Sequence, residues 1–202
     1  MTRAHSSLPL SLAAALAMLA ACGGPRAFTR GEYSDPNEID LLSDEWAPSD
    51  LQLIAKKVVS SLQGSGAFAN IQGRPVVVVG KLKNSTSEHI DMQSLADKVQ
   101  TALVNTGKFQ FTDRASRQDV AEEYEYQGSG YVRPDQAKRP GGQIGAEYIM
   151  TGDLASIKQA VGSDEFIYYK MTAKLTNLRT GILEWTDEKE LKKKFRKRGI
   201  VP

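Results

Sequence analysis

Cysteine occurs once in these 202 residues, at Cys22, and histidine only twice, at His5 and His89. One cysteine excludes an intramolecular disulfide. Two histidines and one thiol leave no Cys-rich or multi-His metal centre. An excess of charge of one sign is missing as well: 26 Lys and Arg stand against 24 Asp and Glu, a formal net of +2. The total charge therefore points to no polyanionic or polycationic partner. No apolar run reaches the about 20 residues that a bilayer-spanning helix needs. Gly64-Ser65-Gly66 and Gly141-Gly142 lack the Lys-Ser/Thr that completes a phosphate-binding loop, and read as caps and turns.

What is present is unevenly distributed. Up to residue 21 the only charged side chain is Arg3, and residues 22–50 hold seven acids against Arg26 and Arg30. Residues 51–191 carry 17 charges of each sign, and Lys192–Arg198 has six basic residues in seven positions. Residues 1–21 show the three parts of an export signal: a short positive start, an apolar run from Leu8 to Leu19, and small residues before Cys22. Leu19-Ala20-Ala21-Cys22 resembles the lipobox of bacterial lipoproteins. That resemblance implies cleavage before Cys22, a lipid on its thiol, and stable attachment through several acyl chains. Gly23, where Asp would imply retention at the inner membrane, implies delivery to the outer one. Export disfavours nucleic acid as a partner.

Residues 22–48 mix Gly, Pro, Ser, Asp and Glu without a sustained apolar period, and read as a lipid-anchored flexible tether. A globular domain is expected over residues 49–190, followed by a basic tail over 191–202 that would attract an anionic lipid or envelope polymer. Ser49 and Gln52 form a capping-box pattern ahead of Leu51, Ile54, Val58, Val59 and Leu62 at helical spacing, and Gly64 and Gly66 end that helix. Val76–Val79, four valines in a row, predict a strand buried on both faces, with helices on both sides of the sheet. Asp91 caps a second helix with Leu95, Val99, Ala102 and Leu103 inward and Gly107 at its C′ position. Phe109 and Phe111 mark a short strand, and Ser116 caps a third helix to about Tyr126. Residues 128–140 form a long loop and Gln143–Ala146 a helical turn. Strands follow at Tyr148–Lys158, Glu165–Leu178 and Ile182–Lys189, the last two as a hairpin. This order predicts an α/β fold with a mixed sheet of four or five strands covered by helices.

Several stretches carry a family likeness. Val76 through Asn84, Thr86 and Asp91, then NTGKFQF at Asn105–Phe111, GAEYIMTG at Gly145–Gly152 and LTNLRTGILEW at Leu175–Trp185 resemble, in order and spacing, the LpoB family of outer-membrane lipoproteins. Trp46 ahead of the first helix fits as well, so the likeness runs over about residues 46–190. The resemblance implies a fold similar to the N-terminal domain of TolB and a non-enzymatic role. That role is activation of a class A penicillin-binding protein, a bifunctional peptidoglycan synthase of the inner membrane, through a small non-catalytic domain. One departure stands out: the family's well-studied members have a long proline-rich tether, whereas this one has about 25 residues. Fully extended it spans at most roughly 80–90 Å, and as a coil roughly 25–30 Å.

The residues themselves offer little catalysis. After processing, His89 is the only histidine and would have to serve any Ser/His/Asp triad, yet it sits in a polar turn beside Glu88 where a solvated histidine is the plain reading. Acidic pairs are not excluded by count; Glu122, Glu123 and Glu125 read as the solvated face of a short helix. Tyr168 and Tyr169 alternate faces of a strand, one toward the core. The expected partner contacts are Tyr131, Arg133 and Arg139 in the long polar, aromatic and basic loop, with Thr151 and Asp153 on the neighbouring strand. The alternatives to a synthase activator are an envelope-assembly or wall-associated lipoprotein without synthase contact, and an undiscovered hydrolase.

Overall fold

A computed structural model describes residues 33, 35, 36, 38, 39, 41, 43–70 and 73–196. The expected signal peptide, Cys22, most of the tether and residues 197–202 lie outside the described residues. From Pro36 onward the chain belongs to one compact unit.

The first helix, α1 (Pro48–Gly64), buries Ile54, Ala55, Val58 and Leu62 along one stripe. Its start differs from the expected Ser49 cap. Pro48 takes the first helical position, where its missing N–H costs nothing, and Asp50 reaches back to accept from Ala47 N at 2.8 Å. Ser49 and Asp50 are themselves buried. Gly64 ends the helix, but Ser65 then starts a short α2 (Gly66–Asn70), its hydroxyl accepting from Phe68 N at 3.2 Å. The two glycines thus separate two helices instead of only ending one. Phe68 meets Phe109 with ring centroids 4.6 Å apart.

β1 (Val76–Ser85) pairs in parallel with β2 (Gln110–Thr112) and with β3 (Tyr148–Val161). β3, β4 (Asp164–Asn177) and β5 (Leu183–Arg196) are antiparallel, giving a mixed sheet in the order β2-β1-β3-β4-β5. α3 (Met92–Asn105) follows β1 and is capped as expected: Asp91 accepts from Gln93 N and Ser94 N. Gly107 has φ +70°, the left-handed geometry of a C′ residue. α4 (Arg117–Gly128) follows β2, with Ser116 at its N-cap making no side-chain bond.

The core lies between α1 and α3 and one face of the sheet, where Leu154, Ile167, Tyr169, Met171 and Leu175 are at most 2% exposed. Each such side chain contributes roughly 1.5–3 kcal/mol by leaving water. Gly152 lets β3 and β4 approach closely there, since a Cβ on it would stand 2.7 Å from Met171 Cε and from the Thr172 carbonyl. All four residues of Val76–Val79 are buried, with Val77 and Val79 in this core. The expected helices on both faces do not extend over the whole sheet. β4 alternates buried with half-buried positions, so only one of its faces is apolar enough to need a helical cover. α4 buries none of its residues. Residues 143–146 are irregular rather than helical, and Glu147 N donates to Val76 O at 2.7 Å.

The last strand also corrects the expected tail. β5 continues through Arg196, because Lys194 and Arg196 find Asp164 across the β4–β5 ladder at 2.7 and 2.9 Å. Within that run Lys193 is only 3% exposed.

Candidate protein-docking surface

β2 is a three-residue edge strand, and a cleft of about 930 Å³ opens beside it. Gln110 N donates to Pro75 O, so strand alternation turns the amide and carbonyl of Phe111 outward, away from β1. Val76, Val104, Phe109 and Ile144 give the cleft apolar walls, and Arg74 and Arg117 supply two guanidiniums. Arg74 Nη2 donates to Phe109 O at 3.3 Å. Thr112 Oγ1, also in the lining, is buried without a hydrogen-bond partner. An unpartnered buried hydroxyl is costly. An edge strand with outward backbone groups, apolar walls and two cations beside Asp113 has the makings of a site for strand addition by an extended polypeptide segment.

A second polar cluster sits where the chain joins α1. Glu88 accepts from Trp46 N at 2.7 Å and from the Tyr169 hydroxyl at 2.6 Å, with Lys158 Nζ 3.4 Å away. Burial pushes this carboxyl upward, but the bonds from Tyr169 and Trp46 and the Lys158 charge outweigh it and hold Glu88 below the ordinary glutamate value. Burial, and then the same bond, push Tyr169 far up. Lys193 Nζ lies 2.5 Å from Asp50 Oδ2 and donates to Glu45 O at 2.8 Å. The Trp46 ring meets Tyr169 edge-on at 5.4 Å. The Trp46 N–H, the Glu45 carbonyl and the Trp46 ring are held by Glu88, Lys193 and Tyr169, whose own bonds to one another and to Asp50 brace them, so the cluster is a clamp on the incoming chain. Among the described residues no three His, Cys, Asp or Glu gather as a metal-binding group, and no helix is long and apolar enough to cross a membrane.

A family model described as "Peptidoglycan-synthase activator LpoB" matches residues 50–191. The chain belongs to the LpoB family. No curated protein matches it. Among solved structures, the LpoB C-terminal domain from Escherichia coli is 17% identical with a TM-score of 0.46, covering 70% of this chain and 98% of that one. The LpoB C-terminal domain from Salmonella enterica is 16% identical with a TM-score of 0.45 and the same coverage, 70% and 98%. A lipoprotein from Neisseria meningitidis is 15% identical with a TM-score of 0.39, covering 59% of this chain and 83% of that one.

In this LpoB-family domain the expected contact residues fall into two groups. Tyr131 is 82% exposed and stacks on Tyr126 of α4 with centroids 5.7 Å apart. Arg133 is paired with Asp135 at 2.9 Å, and Arg139 is exposed. The loop is organised by its own bonds, including Lys138 N to Gln127 Oε1 at 2.6 Å and Gln143 Nε2 to Tyr124 OH at 3.3 Å. α4 and the loop that returns to it therefore form one wall, and Arg117 and Val120 of that helix line the cleft. Thr151 and Asp153 lie on the uncovered sheet face, where Asp153 accepts from Ser85 Oγ at 2.6 Å. Among the described residues no hydrogen bond joins Tyr131, Arg133 or Arg139 to that pair. Sequence reasoning missed Arg74, Thr112 and Arg117; the only local signal was Arg74-Pro75 ahead of the valine strand. His89 is exposed, as are Glu122, Glu123 and Glu125, and Tyr169 rather than Tyr168 is the core tyrosine.

Proposed function

We propose that this chain is an outer-membrane lipoprotein, anchored by a lipid on Cys22, that binds a class A penicillin-binding protein through its non-catalytic domain and activates peptidoglycan synthesis. The observation that carries the reading is the family match over residues 50–191. Residues 1–21 are the signal removed on export and residues 22–48 the tether; the domain beyond faces the periplasm. The protein acts by occupancy and not by turnover. A binder activates an enzyme only if it prefers the active arrangement, so its effect saturates at stoichiometric binding. The α4–loop wall, with Tyr131, Arg133 and Arg139, and the adjacent cleft with Arg74 and Arg117 offer the surface for that contact. Thr151 and Asp153, on the uncovered sheet face, would be a separate contact. The test is glycan-strand synthesis by a purified class A synthase as the chain without residues 1–22 is titrated in. A rate that rises and levels off near one equivalent is expected. A rate unaffected at several equivalents rejects the proposal, and wall digestion without any synthase present would return the chain to the hydrolases.

A further inference from the structure

The uncovered face of β3–β5 changes character toward the β3–β4 turn. In its middle, charges answer one another: Lys170 pairs with Glu188 at 3.3 Å, and Thr172 donates to the same carboxylate at 3.0 Å. At the tip they do not balance. Lys192, Lys194 and Arg196 stand opposite Tyr168, Phe166 and Asp164 in the β4–β5 register, so three cations in a row meet one acid. Asp164 binds Lys194 and Arg196, and Tyr168 is hydrogen-bonded to Glu190. Beside this row Ile157 and Val161 are 65% and 55% exposed, and with Gln159, Phe166, Tyr168 and Lys192 they line a hollow of about 530 Å³. Gly162, at φ +61°, makes the tight turn that ends the hairpin.

The chain joins the domain at this same end of the sheet. Glu45 O is bonded to Lys193, which alternates with the cations along β5 and faces the covered side, and there Trp46 packs on Tyr169. Farther upstream, the Pro36 carbonyl accepts from Gln52 Nε2, still beside the first turns of α1. Lys158, level with Ile167 and Lys193, is three residues from Val161, about 10 Å at roughly 3.3 Å per residue. A membrane holding the N-terminal end of the chain would thus be tethered to the apolar, basic end of the sheet. The occupant follows from that and from the side chains. Lys192 and Lys194 already sit over the Phe166 ring, 5.1 and 5.3 Å from its centroid, so the ring is not a bare platform for sugars. Exposed aliphatic groups at a turn, flanked by cations, are the chemistry of a surface that enters a headgroup layer.

We infer that the β3–β4 tip is a membrane-contact site that lays Ile157 and Val161 into the surface of an anionic bilayer while Lys192, Lys194 and Arg196 take its phosphates. This rests on the lipid anchor proposed for Cys22. Joined to that anchor, even a weak contact is favoured, because the tip is held at high local concentration near the bilayer. It would lay the domain on the membrane until a partner lifts it away.

The test uses the full lipidated protein in vesicles of phosphatidylcholine, with and without phosphatidylglycerol. Val161→Cys gives a single reactive thiol, Cys22 being acylated, for an environment-sensitive fluorophore; Glu123→Cys on α4 serves as the reference position. At residue 161, blue-shifted emission and quenching by bilayer-embedded quenchers are expected in anionic vesicles only, reversed by high salt. The charge variant Lys192→Gln/Lys194→Gln/Arg196→Gln should lose the shift, and the salt titration tests the same point should that variant fold poorly. Identical emission in the two vesicle types overturns the inference. So does a response to soluble polyglutamate with none to vesicles, which would give the face to an acidic protein segment. A protein that fails to float with vesicles at all would refute the Cys22 anchor instead.

Discussion

Lys193→Met should cost the fold far more than the loss of an exposed lysine of β5. The Lys193 ammonium is 2.5 Å from Asp50 Oδ2, with the two side chains 3% and 6% exposed, and it also donates to Glu45 O at 2.8 Å. Methionine keeps the stem and removes the charge. Asp50 then remains buried with the Ala47 N–H, at 2.8 Å, as its one remaining donor in the clamp. Breaking a buried pair from one side costs about 3–5 kcal/mol, and the surviving bond from Ala47 puts this case near the lower end, about 3 kcal/mol. Against a total stability of about 5–15 kcal/mol that is a large loss. At about 2–4 °C per kcal/mol for a domain of this size, the melting temperature falls by about 6–12 °C. Lys193→Met/Asp50→Leu gives up the Ala47 bond, about 1 kcal/mol, but leaves no orphaned carboxylate, so it should be more stable than Lys193→Met alone. Urea unfolding of the four proteins of this cycle measures the coupling. Additive losses, or a double variant weaker than the single one, would refute the clamp as a coupled buried pair.

Glu88→Gln should change how stability responds to acid. The Glu88 carboxyl is held below the ordinary 4.5, so it contributes stability above its unfolded value that is lost as pH falls through the folded one. The variant should be weaker at neutral pH and approach the parent as pH falls through the lowered Glu88 value; parallel pH–stability curves would contradict this. Replacing Tyr131, Arg133 and Arg139 together with Ala should weaken binding to the synthase domain by about tenfold or more while leaving the melting temperature in place. Undiminished affinity moves the contact elsewhere. Inserting about 25 Gly/Ser residues after Asp35 should raise in-cell crosslinking to the synthase if coil reach limits engagement. Unchanged crosslinking would favour a partner that comes to this protein, and a fall would exclude reach as the limit.

The helices and strands were legible because their signals are local: apolar spacing in α1 and α3, an acidic cap at Asp91, a glycine at 107. Register was not. Lys192–Arg196 reads as part of a basic tail because its acids, Asp164 and Asp50, are distant in the chain and meet it only once β5 pairs and α1 packs. Four buried valines correctly marked a strand covered on both faces, but that held only for their own stretch. The alternation Ile167, Tyr169, Met171, Ala173, Leu175 in β4 already carried the opposite message of a single buried face. The cleft could not be foreseen, because Arg74 precedes β1, Thr112 ends β2 and Arg117 begins α4, and only the packed fold brings them together. Glu88 drew notice only as a neighbour of His89, since nothing adjacent in sequence announces a bond to Trp46.

The clamp at Trp46 also decides how load would travel through the molecule. A chain pulled from its N-terminal end parts the Pro36–Gln52 bond and then loads Glu45–Ala47, which is fastened to the loop after β1, to β5 and to α1. The force is shared across the width of the sheet instead of peeling one helix. Polar contacts of this length yield over a small extension, so the clamp gives way before the apolar core beneath it. Release of residues 43–47 adds about 17 Å of slack, at about 3.4 Å per residue. A force ramp on the single molecule should register that step ahead of global unfolding, and one rupture without it would mean that the clamp and the core fail together. The joint is a resettable fuse: taut under light strain, longer after overload, and able to close again when the pull relaxes.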